Sequence, residues 1–329
     1  MKATQFQSFG LPPSVVDCID LPDPGKPAAG EATVEVLATP INPSDIMTVM
    51  GLYGSLPKLP ATPGNEGIGR VVEVGEGVEH LRPGDSVLLP VGCGTWTTKI
   101  RAPAAKLVPM PPDVDPQQLA MLAINPPTAL LLLRDVVELE EGDWVMQNGA
   151  NSAVGAYLIK LAKRRGLKTV NVVRRESLIE PLTKLGADVV IVDGPDLGKR
   201  VAQATGKAKI RLGIDCVGGD ATTRLAGALA TGGTVCNYGA MAGEPCKMTP
   251  QDLIFRNITL RGFWLAFWFS RATQLDQMSV FGELISLISD GTLKADVEAT
   301  YPLDKIKDAL THAMQPERSG KVLLTPNKF

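Results

Sequence analysis

A turn near the middle of the chain contains residue types that suit a phosphate ligand. The segment from Gln147 to Gly155 reads QNGANSAVG and links a predicted strand to a predicted helix. Small residues let the chain turn tightly, leave backbone N–H groups free and let the helix begin close to the strand. The segment has two glycines where the standard fingerprint has three, and Asn151 or Ser152 could cap the helix. The turn predicts a pyrophosphate site, although alone it is also compatible with a tight turn that binds no ligand.

Two adjacent arginines follow the next predicted strand. Arg174 and Arg175 come nineteen residues after Gly155, where an NAD site is expected to carry Asp or Glu for the ribose hydroxyls. Guanidinium groups suit a 2′-phosphate because they form charge-assisted hydrogen bonds that can be bidentate, whereas a carboxylate would repel it. A solvated basic pair is the alternative, and Glu176 beside the arginines weakens the argument. The pattern favours NADPH as the cofactor.

Histidine and cysteine are too few and too scattered for a zinc site. The chain has two histidines, His80 and His312, and five cysteines without a C-x-x-C pair. A catalytic zinc needs three protein ligands and a structural zinc needs four. An odd number of unpaired cysteines also argues against a disulfide framework and favours a reducing compartment. We predict no metal.

Beyond about residue 118, runs of strand length alternate with segments of helical periodicity. Predicted strands cover 144–147, 169–173, 188–192, 212–217, 234–238 and 258–263, and predicted helices cover 153–165, 178–185, 197–205, 221–230 and 275–289. This alternation predicts a parallel sheet with helices on both faces, since each crossover helix must bury its apolar side. We therefore expect a doubly wound, Rossmann-type cofactor domain.

The amino-terminal part of the chain has a different residue pattern, without the alternation of strands and helices. From Ala32 to about Lys106, short β-branched runs are separated by Pro and Gly turns, which predicts a β-rich, barrel-like domain. The segment from Lys294 onward looks mixed. We predict one domain over 1–118, completed by 291–329, and a cofactor domain over 119–290.

Composition describes an ordinary globular chain. Its 329 residues are 44% hydrophobic and 21% charged, with a net charge of -2 and no basic stripe, which disfavours a nucleic-acid partner. The longest apolar stretches fall far short of the ~20 residues that a membrane span needs. The first residues, MKATQFQSFG, show neither a signal peptide nor an Arg-rich presequence, so the cytoplasm is the expected location.

The chain resembles the medium-chain dehydrogenase/reductase superfamily over essentially its whole length, and two short motifs are the first to show it. In the zinc alcohol dehydrogenases of this superfamily, a ligand cysteine begins a C-x-[ST]-D element and a ligand histidine lies in G-H-E. The matching runs here are Asn42-Pro43-Ser44-Asp45 and Gly64-Asn65-Glu66. Both metal-binding side chains are replaced, so the resemblance implies a zinc-independent oxidoreductase.

Longer runs resemble the mitochondrial trans-2-enoyl-CoA reductase, or 2-enoyl thioester reductase, branch. They include INPSDI at 41–46, GLYG at 51–54, GTW at 94–96, NVVR at 171–174, CVGG at 216–219, YGAM at 238–241 and LRGFWL at 260–265. Ala153, Ala240 and Ala266 stand where relatives can carry Gly or Ser. The resemblance implies an α/β protein with a GroES-like catalytic domain and a Rossmann domain, a role in fatty acid metabolism, and a homodimer.

The same resemblance assigns site residues. It implies that Tyr53 is the catalytic tyrosine and that Trp264 lines the active site. The cofactor contacts that it implies are Asn125, Asn151, Ser152, Ala153, Val154, Arg174, Arg175, Glu176, Tyr238, Gly239, Ala240, Met241, Phe263, Trp264, Leu265, Ala266 and Lys321. The implied substrate is an acyl thioester of CoA or of acyl carrier protein, reduced by hydride at Cβ and a proton at Cα.

Several alternatives stay open at this point. Tyr53 could be an ordinary loop aromatic, and the apolar run from Phe263 to Phe269 could form an acyl pocket or a subunit contact. For Asp45, Glu66 and Asp215 a structural hydrogen-bonding role is favoured. The alternative functions are a quinone or alkenal reductase of the same superfamily and, in another class, a non-catalytic crystallin-like or RNA-binding protein.

Overall fold

The computed structural model describes residues 1–328, which group into two compact units. The first unit contains Met1–Ile124 and the chain from Ile285 onward, and the second contains Asn125–Leu284. These bounds lie a few residues from the predicted ones. Gln118, at the predicted boundary, belongs to the first unit because its side-chain amide exchanges two hydrogen bonds with the backbone of Ala295, of 3.0 and 2.9 Å.

The first unit is built on a mixed sheet and a separate amino-terminal strand pair. Its strands are β1 (Lys2–Phe6), β2 (Val16–Asp20), β3 (Glu31–Pro40), β4 (Ile68–Val74), β5 (Ser86–Leu88), β6 (Lys99–Pro103), β7 (Val108–Pro109), β14 (Val297–Tyr301) and β15 (Lys321–Leu324). Its helices are α1 (Pro12–Val15), α2 (Pro43–Val49), α3 (Pro116–Leu119) and α11 (Ile306–Ala313). The sheet order is β14-β15-β3-β4-β5-β7, with β6 paired to β3.

The two ends of the chain share one apolar core in this unit. Phe6 and Trp96 are fully buried against Leu310 and Val322 from the carboxyl-terminal segment. Strand β15 pairs antiparallel with the end of β3. Packing of this kind stabilises the unit through the apolar area that it removes from water, and it explains why the carboxyl-terminal segment belongs to the first unit.

The second unit is a doubly wound parallel sheet. Its strands are β8 (Trp144–Gln147), β9 (Lys168–Val173), β10 (Val189–Val192), β11 (Ile210–Asp215), β12 (Thr234–Asn237) and β13 (Thr259–Gly262). Its helices are α4 (Asn125–Arg134), α5 (Ala153–Arg164), α6 (Ile179–Leu185), α7 (Leu197–Ala204), α8 (Gly219–Ala228), α9 (Leu265–Arg271) and α10 (Gln274–Ser289), the last of which runs into the first unit. The strand order β10-β9-β8-β11-β12-β13 is the dinucleotide-binding order, which confirms the predicted fold class.

Differences from the sequence-based elements are small except in one place. The sequence also shows helical periodicity over 127–137; the corresponding helix is α4, which starts earlier at Asn125 and ends at Arg134. The apolar run after β13 forms a short helix, α9, that the sequence analysis did not predict. No helix in the part of the chain that the structure describes is long and apolar enough to cross a membrane.

Candidate active site and cofactor site

The carboxyl ends of the parallel strands bring most of the predicted cofactor residues to one edge of the sheet. Asn151 to Val154 follow β8, Arg174 to Glu176 follow β9, Tyr238 to Met241 follow β12 and Phe263 to Ala266 follow β13. Because all of these strands are parallel, their carboxyl ends share that edge. In open α/β sheets this edge is where ligands bind, at the point where the strand order reverses. Here the reversal lies between β8 and β11.

The turn after β8 has the geometry of a phosphate cradle. Ser152 caps α5, since its hydroxyl oxygen accepts a 3.1 Å hydrogen bond from the backbone N–H of Gly155. Gly149 has a φ of 57°, and a Cβ at this residue would lie 2.3 Å from Cys216 Sγ. A Cβ on Gly155 would lie 2.5 Å from the carbonyl oxygen of Ala150. Both glycines are therefore required by close approach, and the turn presents the amino end of α5, with its positive dipole, to an anion.

The basic pair lies where the adenosine end of a dinucleotide is expected. Arg174 is exposed and Arg175 is half-buried directly after β9, the neighbour of β8 in the sheet. Arg175 has extended backbone and precedes a short 3-10 turn from Glu176 to Leu178. The phosphate turn and the arginines thus end adjacent strands, which is the spacing that a 2′-phosphorylated dinucleotide requires.

The loop after β12 rests on the segment after β11. The backbone N–H of Tyr238 donates to the carbonyl of Asp215 at 2.9 Å, and the N–H of Met241 donates to that of Cys216 at 3.1 Å. The Tyr238 phenol bonds to Ser152 and Cys216, and its burial raises the pKa of Tyr238 well above its ordinary value. The phenol is therefore neutral, and its hydrogen bonds link this loop to Ser152, the cap of α5, and to Cys216.

The last segment at this edge begins α9. Phe263 continues from β13, and its N–H donates to Asn237 at 2.8 Å. Trp264 is half-buried with extended backbone, and its ring packs edge-on against Phe267, 4.9 Å between centroids. The aromatic run continues with Phe269 stacked on Phe281. These rings form an apolar surface on α9 and α10 within the second unit.

Tyr53 belongs to the first unit, in the loop that follows α2. The helix is fixed at its start because Asp45 accepts a 2.8 Å hydrogen bond from the N–H of Asn42. Its end is fixed by a 2.8 Å bond from the N–H of Leu52 to the carbonyl of Met47. Tyr53 itself is half-buried. A half-buried phenol on a loop with an anchored start is suited to donate a proton or a hydrogen bond to a ligand.

A buried ionic cluster in the first unit was missed by the sequence analysis. Glu66, Asp45 and Lys321 are 0%, 1% and 7% exposed. The ammonium of Lys321 donates to Asn42 Oδ1, and Asn42 Nδ2 donates to Glu66 Oε1 at 2.7 Å. Burial raises the pKa of Glu66 and lowers that of Lys321, while their mutual attraction opposes both shifts.

The two asparagines at the zinc-ligand positions are used within this cluster. Asn42 bridges Lys321 and Glu66, and Asn65 Nδ2 donates to Asp45 Oδ1 at 2.8 Å. Burial raises the pKa of Asp45 to about 6. Among the described residues, no group of three or more His, Cys, Asp and Glu is placed to hold a metal ion. The side chains that replace the ligands are thus committed to hydrogen bonds.

Two predicted cofactor residues belong to elements other than the segments that follow β8, β9, β12 and β13. Lys321 belongs to the first unit and to the ionic cluster just described, so its cofactor role stays a prediction. Asn125 is the first residue of α4 and is 7% exposed. Its role at the cofactor also stays a prediction.

Comparison with known proteins agrees with this geometry. The alcohol dehydrogenase GroES-like domain family matches residues 28–112, and the zinc-binding dehydrogenase family matches residues 153–279. The mitochondrial enoyl-[acyl-carrier-protein] reductase of Rattus norvegicus is 38% identical over 334 residues, covering 99% of this chain and 88% of the relative. The chain belongs to the enoyl reductases of the medium-chain dehydrogenase/reductase superfamily. The enzyme of the same name from Xenopus tropicalis is 41% identical and covers 91% of this chain and 88% of its own.

Solved enoyl thioester reductases share the fold of this enoyl reductase. A mutant form of enoyl thioester reductase from Candida tropicalis superposes with a TM-score of 0.87 and 28% identity, over 98% of this chain and 99% of that one. A putative NADPH:quinone reductase from Bacillus thuringiensis gives a TM-score of 0.91 and 29% identity, over 99% of both chains. The predicted superfamily, its zinc-free branch and the two-domain fold class are confirmed.

Proposed function

We propose that the protein reduces trans-2-enoyl thioesters to saturated acyl thioesters with NADPH. The observation that carries this proposal is that the turn after β8 and the pair Arg174 and Arg175 lie at the same edge of the parallel sheet. The chain also matches an enoyl-[acyl-carrier-protein] reductase over 99% of its length. One solved relative is described as the Etr1p/NADP/crotonyl-CoA complex, at a TM-score of 0.88. The protein is an enzyme, which disfavours the crystallin-like and RNA-binding alternatives.

The cofactor is held by the second unit. The turn after β8, with Ser152 at the start of α5, binds the pyrophosphate, and Arg174 and Arg175 bind the 2′-phosphate. The Tyr238–Met241 loop and the Phe263–Ala266 segment contact the nicotinamide half, with Asn125. When bound, NADPH supplies the hydride that reaches the β-carbon of the substrate.

Tyr53 supplies the other half of the chemistry. As negative charge develops on the thioester oxygen, a phenolic donor aimed at it stabilises the transition state, and such preorganised donors can contribute roughly 3 to 4 kcal/mol. The same hydroxyl, directly or through water, passes a proton to the α-carbon. Trp264 borders the acyl part of the substrate.

Oxidation of NADPH tests the proposal directly. Absorbance at the nicotinamide band is followed with crotonyl-CoA, and with C10 and C16 enoyl-CoA, beside a quinone and beside NADH. We expect turnover with at least one enoyl-CoA and a kcat/KM for NADPH well above that for NADH. Rapid oxidation with the quinone and none with any enoyl-CoA would contradict the enoyl assignment and favour the second candidate.

That second candidate is an NADPH-dependent quinone or alkenal reductase. It is supported by the TM-score of 0.91 with the putative NADPH:quinone reductase. Such an enzyme would share the cofactor site but would not need the Tyr53 proton or an acyl-thioester pocket. Turnover of the CoA thioester and of the acyl carrier protein thioester, compared at the same acyl chain length, identifies which of the two carriers the enzyme uses.

A homodimer that pairs through β13 is also proposed. This strand ends the parallel sheet, and Thr259, Arg261 and Gly262 on it are exposed. The preceding loop exposes Ile254 and Phe255 at 69% and 71%. Exposed edges and apolar side chains favour pairing with another chain, and a two-fold axis would pair β13 with itself. A Candida tropicalis neighbour is described as an Etr1p/Etr2p heterodimer.

The cytoplasmic location stays a prediction. The two enoyl-[acyl-carrier-protein] reductases named above are mitochondrial enzymes by name. Localisation of a tagged full-length protein in its own cell decides between the two compartments.

A further inference from the structure

A side-chain bridge closes the point at which the strand order of the second unit reverses. Asn148 follows β8 and Asp215 ends β11, and these two strands are neighbours in the sheet. Asn148 Nδ2 donates to Asp215 Oδ1 at 2.6 Å, and Asn148 Oδ1 accepts from the N–H of Cys216 at 2.8 Å. One amide side chain therefore joins the two strand ends at the position where the cofactor crevice opens.

The carboxylate of Asp215 is fully buried and accepts hydrogen bonds from several elements. Besides Asn148, its donors are the N–H groups of Val217 at 2.9 Å and Gly218 at 3.1 Å, the hydroxyl of Thr222 at 2.6 Å and Nδ2 of Asn237 at 3.1 Å. These donors come from the turn that follows β11, from α8 and from β12. Burial opposes ionisation, yet the hydrogen bonds from Thr222 and Asn148 bring the pKa of Asp215 below its ordinary value.

The segment that this carboxylate holds supports the loop after β12. Carbonyls of Asp215, Cys216 and Val217 accept the N–H groups of Tyr238, Met241 and Ala242. Asn237 Nδ2, which donates to Asp215, also donates to the carbonyl of Gly239 at 2.9 Å. A Cβ on Gly239 would lie 2.8 Å from the carbonyl oxygen of Cys216, so the loop fits this support closely.

We propose that Asp215 and Asn148 are positioning residues that set the Tyr238–Met241 loop for the nicotinamide half of the cofactor. The inference rests on the proposed function, in which that loop contacts the nicotinamide. Neither side chain is assigned to touch the cofactor. The adenosine half is assigned to Arg174 and Arg175 at the end of β9, on the other side of β8 from β11. Loss of the bridge should therefore affect the two halves of the cofactor unequally.

The test compares the whole cofactor with its adenosine half. Dissociation constants for NADPH and for 2′,5′-ADP are measured by calorimetry on wild type and Asp215→Asn, together with kcat and thermal unfolding. In Asp215→Asn an NH₂ group replaces one acceptor oxygen and must face one of the donors. We expect binding of 2′,5′-ADP within about twofold of wild type, NADPH binding weakened about tenfold, and kcat reduced by a similar factor, since a factor of ten corresponds to one buried hydrogen bond.

A matched control separates positioning from general destabilisation. Asp252 is a buried carboxylate of the same unit, 6% exposed, that accepts from Thr249 and Arg256 before β13. Asp252→Asn should lower the melting temperature without changing the ratio of the two dissociation constants. Equal weakening of NADPH and 2′,5′-ADP in Asp215→Asn, in proportion to its melting temperature, would overturn the inference.

A milder pair of variants keeps the test informative if Asp215→Asn fails to fold. Thr222→Val removes the hydroxyl that donates to Asp215 at nearly constant shape, and Thr222→Ser retains it. We expect Thr222→Val to weaken NADPH selectively and Thr222→Ser to restore it; identical constants in both variants would count against the inference. The dissociation constants and the melting temperatures need no acyl substrate. Wild type that binds NADPH but reduces no enoyl-CoA therefore refutes the enoyl function alone, whereas wild type that binds no NADPH refutes both.

Discussion

The hydroxyl of Tyr53 is the group on which the proposed proton transfer depends. Tyr53→Phe removes the donor and leaves the ring, so we expect kcat with crotonyl-CoA to fall by about 100-fold or more, as for loss of a general acid. NADPH binding should stay near wild type because the residues proposed to hold its phosphates lie in the second unit and Tyr53 is not among the proposed cofactor contacts. Steady-state kinetics and fluorescence titration measure the two effects. Tyr301→Phe, which removes a half-buried hydroxyl bonded to His312, is the matched control and should keep its turnover. Unchanged kcat in Tyr53→Phe would remove this residue from the chemistry.

Arg174 and Arg175 determine the choice between NADPH and NADH in the proposed site. Replacing either by Ala removes charge-assisted hydrogen bonds worth about 1.5 to 3 kcal/mol, so kcat/KM for NADPH should fall roughly 10- to 100-fold. The value for NADH, which lacks the 2′-phosphate, should change little and serves as the internal control. Arg211→Ala, which removes an exposed partner of Asp143, should leave the ratio of the two values unchanged. Equal losses with both cofactors would argue that the pair has no role in cofactor choice.

Lys321 balances two buried carboxylates, and its removal should be costly. Lys321→Met removes the buried ammonium that attracts Glu66 and Asp45, and removing one charged member of a buried ionic group costs about 3 to 5 kcal/mol. The double variant Lys321→Met/Glu66→Gln should recover part of this loss because one carboxylate is neutralised. Urea unfolding followed by tryptophan fluorescence measures both. The control Lys184→Met removes an exposed pair with Glu180 and should change stability by less than about 0.5 kcal/mol. A loss equally small for Lys321→Met would contradict a balancing role.

At the scale of elements, the parallel sheet was predictable because its signals are local. The half-buried strand Val189–Val192 is a short apolar run, and it is followed by a turn and the amphipathic helix α7. Helix α9 was missed because Leu265–Arg271 is apolar nearly all round and has no capping residue, so periodicity gives no helical signal. The ionic cluster was missed for a different reason. Asn42, Glu66 and Lys321 lie far apart in sequence and meet through β15, which sequence patterns do not pair with β3.

The turn after β8 can be tested at the same scale. In Gly149→Ala a methyl group meets Cys216 Sγ at 2.3 Å and the residue keeps a φ of 57°, so both contact and backbone oppose it. Gly206→Ala, with a φ of 64° and open space around its Cβ, isolates the backbone cost of about 1 to 2 kcal/mol. We expect Gly149→Ala to be the less stable variant and to weaken NADPH at least tenfold, and Gly206→Ala to bind NADPH normally. Calorimetric titration and thermal melts measure both, and normal NADPH binding by Gly149→Ala would exclude the turn from the phosphate site.

At the scale of the whole molecule, the exposed edge of the parallel sheet bears on the oligomeric state. Phe255→Lys places a charge in the apolar loop next to β13, where desolvating an ammonium against a second copy would be unfavourable. We expect wild type to elute from size exclusion with light scattering at twice the mass of the chain, and Phe255→Lys to shift toward the monomer at low micromolar concentration. Val72→Lys, at a 42% exposed apolar position on β4, should remain dimeric. A wild-type monomer, or a Phe255→Lys dimer as stable as wild type, would argue against pairing through this edge.

The proposed dimer contact also bears on activity, because β13 continues into Phe263 and Trp264. A dimer formed at β13 would restrain this segment, which is proposed to border the nicotinamide. Phe255→Lys should therefore have a lower turnover when it is monomeric.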